Sequence, residues 1–501
     1  MLQNLRKEMN KITCSKKEKT AALFLFLADI LIMLAVWLGQ NYVQVDFDQL
    51  LFQMKTTSKG VHGALLGSAV MQVGLFSLLL FFAEIWLYLW LTGRYNLSFV
   101  KKHILSFSLV LFILSLLICG TTVHVFSFMR AESKESDLIQ NQYIKPENSI
   151  LHFPTQKRNL IYIFLESMES TFADLSAGEM ITDCYIPELA ELAENNINFS
   201  HNDGLGGALS YPGTTWTAAA MVAQTAGIPV KVSLEADTYG AGDVFLPGVR
   251  SIGQILEEQG YNQVLLLGSN AEFHGREVYF TEHGNYEILD TDSLKEAKRL
   301  PEDYEAWWGF EDEKLFSFAK EELTRLAESE APFNLTMLTA DTHFPDGCPC
   351  RLCENIYDTP YANVLACCSR QVADFIAWIQ EQPFYENTTI VISGDHLTMD
   401  GGFMEDINPE YTRSIYNCII HSVAEPVREK NRLFGTIDLF PTTLAALGVK
   451  IDGDRLALGT NLFSDRDTLT EQFGYEFLAE ELLKQSDFYD SELLLLRRTA
   501  D

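Results

Sequence analysis

Basic residues are scarce in this chain. Only 37 Lys and Arg stand against 68 Asp and Glu among its 501 residues. The deficit is uneven: residues 131–501 hold 62 of the acids and 25 of the bases, a net charge of −37. A domain with that balance will not hold nucleic acid in a basic groove. It attracts divalent cations instead, although most of the excess serves as solvated surface. Internal repeats and low-complexity tracts are also missing. No small-x-small cleavage site follows Gly39, which argues against reading the first apolar run as a signal peptide. Cysteine is sparse and odd in number. Of nine, seven lie beyond residue 130 (Cys184, Cys348, Cys350, Cys353, Cys367, Cys368 and Cys418), so complete pairing within one chain is excluded.

Long hydrophobic runs are confined to the first 130 residues. Ala21–Gly39, Ala64–Thr92 and His103–Met129 are each long enough to cross a hydrocarbon core of about 30 Å. Asp29 and Glu84 interrupt two of them and are expected to face neighbouring helices or an interface. Residues 1–20 carry Arg6, Lys7, Lys11, Lys16, Lys17 and Lys19, and the segment between the second and third runs carries Arg94, Lys101 and Lys102. Both are expected to be cytoplasmic. The loop at 40–63 offers only Lys55 and Lys59, offset by Asp46 and Asp48. Three crossings then place the C-terminal part outside. There the cluster Cys348-Pro-Cys-Arg-Leu-Cys353 can be read as a metal knuckle, but an exported location makes one or two disulfides the expectation.

The domain expectation is a three-helix anchor over 1–130, a polar, Pro-containing linker over 131–157, and a catalytic domain over 158–501. Within the last, short apolar runs (159–165, 262–267, 333–338, 388–392) alternate with amphipathic helical stretches (249–259, 312–327, 361–380, 438–448). That alternation implies an α/β fold with a largely parallel central sheet. Sites in such sheets lie beyond the carboxyl ends of the strands. Three runs end in chemistry-bearing residues: Glu166-Ser167, Thr339-Ala-Asp341-Thr-His343 and Gly394-Asp395-His396. Alone, each is better explained as a cap or turn. Together they suit a divalent ion. A fourth element, Gly204 to Met221, is a Gly-rich loop opening into a helix expected to start near Thr214. A threonine there meets free N–H groups and the positive helix end, where phosphate binds.

These motifs, in the order LES, G-T-x-x-T-x-x-x-M, THFP and GDH, resemble the lipoteichoic acid synthase and phosphoglycerol transferase family. That family is related to sulfatases and phosphoethanolamine transferases within the alkaline phosphatase superfamily. The resemblance covers roughly residues 157–468. It implies an alkaline-phosphatase/sulfatase-like domain with Glu166, Asp395, His396 and Thr214 as metal ligands. Thr214 is also the implied nucleophile, with Thr217 as the runner-up. His343 matches the histidine that contacts the transferred group. Phe273-His-Gly-Arg276 resembles the Phe-Trp-Asn-Arg that lines the glycerol pocket of the synthases, so Arg276, His274 and Thr217 are expected to bind substrate; His274 departs from the Trp of that motif. Three crossings, rather than five, are a second departure. The implied reaction moves glycerophosphate from phosphatidylglycerol to a cell-envelope glucan or glycolipid through a phospho-threonine. Its metal is expected to be Mn²⁺, with Mg²⁺ or Zn²⁺ as alternatives. A phosphoethanolamine transferase is the alternative reaction. A sulfatase would need a modified Cys or Ser within C/S-x-P-x-R, and Cys348-Pro-Cys-Arg351 has the wrong spacing. A non-catalytic scaffold would not be expected to retain the whole ligand set.

Overall fold

A computed structural model describes residues 15–43, 45–56, 67–95, 97–233, 239–240, 244–304 and 306–495. The basic residues Arg6, Lys7, Lys11 and Lys59 lie outside the described residues. The chain divides into two compact units, 1–46 with 62–126 and 47–61 with 127–501.

The first unit contains three helices long and apolar enough to cross a membrane: α1 Lys16–Asn41, α2 Gly67–Arg94 and α3 Ser98–Thr122. At 1.5 Å per residue each exceeds the roughly 30 Å of hydrocarbon. The start of α1 is fixed by a capping box in which Ser15 and Glu18 satisfy each other's backbone N–H groups. Asp29 is buried, as a carboxylate facing its neighbours should be. The third run was expected to continue to Met129, but α3 stops at Thr122. His124 adopts a positive φ of 54°, and a separate helix, Val125–Glu132, begins after it. A non-Gly residue in that region cannot continue a right-handed helix.

The second unit is built on a seven-stranded sheet. Its strands are β1 Asn159–Leu165, β2 Gly207–Ala208, β3 Asn262–Leu267, β4 Glu287–Leu289, β5 Phe333–Leu338, β6 Thr388–Gly394 and β7 Ile415–Ile420. Their spatial order is β2-β7-β6-β1-β5-β3-β4. The pairs among β6, β1, β5, β3 and β4 are parallel; β7 runs antiparallel to β6, and β2 to β7. Every residue of β1 is buried. Side chains alternate between faces along a strand, so Leu160, Tyr162 and Phe164 enter one core while Ile161, Ile163 and Leu165 enter the other. Helices α4 Thr217–Ala226 and α7 Leu439–Ala446 cover the first face. Helices α5 Asp312–Ala327 and α6 Pro360–Gln380 cover the second. The continuous apolar runs follow from this double burial.

Residues 131–157, expected as a linker, pack on this unit. Ile139 and Leu151 are buried, Ile144 N–H donates to Ala457 O at 2.9 Å, and Leu151-His152 pairs with Lys450-Ile451. The second unit also takes in a short helix, Phe47–Lys55, that lies in the chain between α1 and α2. Its Phe52 is wholly buried, with ring centroids 5.2 Å from Trp216, 5.8 Å from Tyr239 and 5.4 Å from His274.

Candidate functional site

The ends of β1 and β6 are adjacent because the two strands pair in parallel, Leu165 opposite Gly394. Gly394 is required there, since a Cβ would stand 2.0 Å from the Met168 carbonyl oxygen. The pairing brings Glu166, Asp395 and His396 together. Nε2 of His396 lies 3.5 Å from a Glu166 oxygen and 3.5 Å from Oδ2 of Asp395. All three side chains are buried.

Each is held by its own surroundings. Asp395 Oδ1 accepts from the N–H groups of Ser167 and His396, both at 2.7 Å. The Ser167 hydroxyl donates to Glu166 at 2.8 Å. His396 Nδ1 is 2.8 Å from the Leu397 carbonyl oxygen. A carbonyl can only accept, so Nδ1 carries a proton and Nε2 faces the two carboxylates; burial works against a charged ring, but the Asp395 and Glu166 charges outweigh it and raise its pKa. Two carboxylates and an imidazole converge here, and Oδ2 of Asp395 has no hydrogen-bond partner. Burial, and then the charge of Glu166, push the Asp395 carboxyl up to about 7. Burial alone would also raise Glu166, but the His343 and His396 imidazoles outweigh it and hold that carboxyl below its usual range. A divalent cation would relieve this crowding of anionic groups. The donor set, two carboxylates and one imidazole with atoms within 4.8 Å of one another, suits Mn²⁺, Mg²⁺ or Zn²⁺.

The threonines resolve differently from the sequence expectation. Thr214 does not join the cluster, and the helix does not start there. Gly213, at φ 77°, turns the chain beneath Val230, where a Cβ would meet the Val230 carbonyl oxygen at 2.6 Å. The Thr214 hydroxyl then closes a local turn. It accepts from Tyr211 N–H and donates to Tyr211 O, both at 2.9 Å. Trp216 remains extended, and α4 begins at Thr217. Thr217 Oγ1 lies 3.3 Å from Glu166 Oε2 and 3.4 Å from His396 Nε2. Its place in the first turn of α4 adds unpaired N–H groups and the positive end of the helix.

A small cleft beside the cluster is lined by Glu166, Thr217, Ser269, Phe273, Arg276, Trp308 and His343, among others. The His343 ring packs at a tilt against Trp308, 4.4 Å between centroids, and its Nδ1 is 2.7 Å from the Phe344 carbonyl oxygen. The same donor argument puts a proton on Nδ1, so in the neutral ring Nε2 is the free acceptor. Burial lowers its pKa from the ordinary 6.5, against the opposing pull of Glu166. Arg276 is held by Asn270 O at 2.7 Å, Phe273 O at 3.1 Å and Ser269 Oγ at 3.1 Å. Among the described residues no carboxylate forms an ion pair with it. His274 is absent from the cleft lining. It is buried beside Phe52 with Nε2 hydrogen-bonded to Gln53, and burial drives its pKa down to about 3. Sequence reasoning missed Trp308, Ser269 and the Phe47–Lys55 helix. The Trp307-Trp308 pair and the spacing of Phe47, Leu50, Leu51 and Met54 were the available signals.

A largely parallel sheet covered by helices on both faces, with acid, imidazole and hydroxyl groups at the ends of its strands, defines the alkaline-phosphatase-like class. A solved protein of the alkaline phosphatase superfamily from Vibrio parahaemolyticus shares the fold: TM-score 0.52, 21% identity, covering 67% of this chain and 79% of that one. The family pattern described as Sulfatase matches residues 158–449, and the chain belongs to that family. Phosphoglycerol transferase I of Citrobacter koseri and that of Escherichia coli are each 30% identical to it over 298 residues. The match takes in 58% of this chain and 37% of those relatives, so well over half of their length lies outside it.

Proposed function

We infer that this chain transfers a glycerophosphate group from phosphatidylglycerol to a hydroxyl of a cell-envelope glucan or glycolipid, with Thr217 as the nucleophile. The observation that carries this reading is the Thr217 hydroxyl, 3.3 Å from Glu166 and 3.4 Å from His396 at the start of a buried helix. The names of the C. koseri and E. coli relatives supply the transferred group. The three apolar helices and the basic residues beside them support a multi-pass membrane protein whose catalytic unit lies outside the cytoplasm.

Glu166, Asp395, His396 and Thr217 would hold the metal, for which Mn²⁺ is the first choice. A divalent ion there supplies charge that lowers the hydroxyl pKa and steadies anionic oxygens. The chain's own groups do the rest. Thr217 Oγ1 forms a bond to phosphorus while the bond from phosphorus to the diacylglycerol oxygen breaks. His343 Nε2 takes the proton from Thr217 and returns it to the leaving oxygen, so diacylglycerol departs neutral. Arg276 pairs with a phosphate or glycerol oxygen, and Phe273 and Trp308 wall off water. In the second half the acceptor hydroxyl attacks phosphorus, its proton passes through His343, and Thr217 is released.

The test is to incubate the detergent-purified chain with labelled phosphatidylglycerol and Mn²⁺, with and without glucan and glycolipid acceptors. Diacylglycerol and a glycerophosphate adduct on the Thr217 peptide are expected. Turnover of phosphatidylethanolamine instead would reassign the group transferred, and no adduct with either lipid would remove the covalent mechanism.

A further inference from the structure

The described cysteines are all free thiols, so the disulfides expected from an exported location do not form. Three of them meet in a way that a disulfide would not require. Cys350 and Cys353 lie on the segment after β5, and Cys367 lies in α6. Cys350 Sγ is 3.8 Å from Cys353 Sγ and 3.8 Å from Cys367 Sγ. The third pair also lies within 4.8 Å. A disulfide brings two sulfurs to about 2.0 Å and leaves the third out. A zinc ion with Zn–S bonds of about 2.3 Å and tetrahedral angles sets its sulfurs about 3.8 Å apart.

The surroundings supply an independent observation. Backbone N–H of Leu352 points at Cys350 Sγ at 3.4 Å, and the buried Gln371 side-chain nitrogen lies 3.5 Å from Cys367 Sγ and 3.8 Å from Cys350 Sγ. Donors aimed at sulfur stabilise thiolates rather than thiols, because a thiolate accepts far more strongly. The Cys-x-x-Cys spacing, one that structural zinc sites use, turns the chain so that the N–H two residues on reaches the first sulfur.

We propose that Cys350, Cys353 and Cys367 bind a structural Zn²⁺ that staples the segment following His343 to helix α6. Soft thiolate donors select zinc over the manganese or magnesium suited to the carboxylate cluster. The fourth corner goes to water or to Cys348, two residues before Cys350. The staple acts near the cleft, since Cys348 N–H donates to Asp341 O at 2.7 Å, two residues from His343. The proposal is independent of the phosphotransfer reading.

The test uses the full chain carrying Asp395→Ala, which disables the carboxylate cluster. Purified protein should hold about one zinc per chain, and an organomercurial should release it as the thiols react. Loading with Co²⁺ should give the intense near-ultraviolet thiolate-to-cobalt band, and Cys367→Ser should abolish it. Should Cys367→Ser fail to fold, mercurial titration of Asp395→Ala alone still decides the matter. A peptide map under non-reducing conditions that links any two of the three cysteines overturns the proposal. So does zinc-free protein in which all three alkylate at once. Loss of the cobalt band in Cys348→Ala identifies the fourth ligand, and its persistence assigns that corner to water.

Discussion

Two clusters of ligating side chains belong to loops and helices around the same sheet, and they are assembled in opposite ways. Glu166, Thr217, Asp395 and His396 come from segments up to 230 positions apart in sequence; β1 and β6, paired in parallel, bring the three ligating groups together, and helix α4 brings Thr217. Cys350, Cys353 and Cys367 span a single segment and one helix. The first cluster offers oxygen and one imidazole, keeps a hydroxyl among its donors, and borders a cleft. The second offers only sulfur, with side-chain and backbone N–H groups turned inward. Hard donors beside a cleft suit an exchangeable ion that meets substrate. Soft donors tied by their own local hydrogen bonds suit an ion that never leaves.

The largest effect should come from Thr217→Ala. Loss of the nucleophile is expected to cut turnover by several orders of magnitude, measured as diacylglycerol released, while thiol-bound zinc stays in place. Near-normal turnover would erase the functional distinction between the clusters. Asp395→Ala should come next, with loss of the exchangeable metal by elemental analysis and activity that added Mn²⁺ does not restore. Full Mn²⁺ occupancy in that variant would take Asp395 out of the ligand set.

His343→Ala is expected to cost roughly 10²- to 10⁴-fold, the usual range for a positioned acid–base group. A pH profile sharpens the point. Burial holds this imidazole below its ordinary 6.5, so it is neutral and able to accept a proton at pH 7. Rate should be flat near neutrality and fall only as the pH drops below 6.5 and the ring protonates. That acid limb should vanish in His343→Ala. The smallest effect belongs to Thr214→Ala. Its hydroxyl serves the Tyr211 turn, so the expected cost is about 1 kcal/mol of stability with turnover nearly unchanged, read by chemical denaturation. A large loss of turnover there would return the nucleophile to the loop.

Strand-end chemistry was legible in the sequence because a parallel sheet places its site at one edge whatever the distances along the chain. Glu166, Asp395 and His396 follow apolar runs without a gap. The choice among threonines was harder. Gly213-Thr-Thr-Trp-Thr217 offers three hydroxyls in four residues, and the register of the resembling family, with Thr217 and Met221 after it, pointed to Thr214. A contact invisible in that pattern, the Thr214 hydroxyl closing on Tyr211, goes with a helix that begins only at Thr217. The thiols differ for another reason: the exported location favours disulfides, whereas the described cysteines are free and Cys350, Cys353 and Cys367 cluster.

Phe52 gives the two halves of the chain a shared fate. A protease that cut the catalytic half loose just before residue 127 would separate it from the short helix that fills its aromatic socket of Trp216, Tyr239, Phe245 and His274. Vacating a buried phenylalanine site typically costs about 3–5 kcal/mol, a large part of what keeps most domains folded. Residues 127–501 released alone would therefore lose a large share of their stability along with that helix.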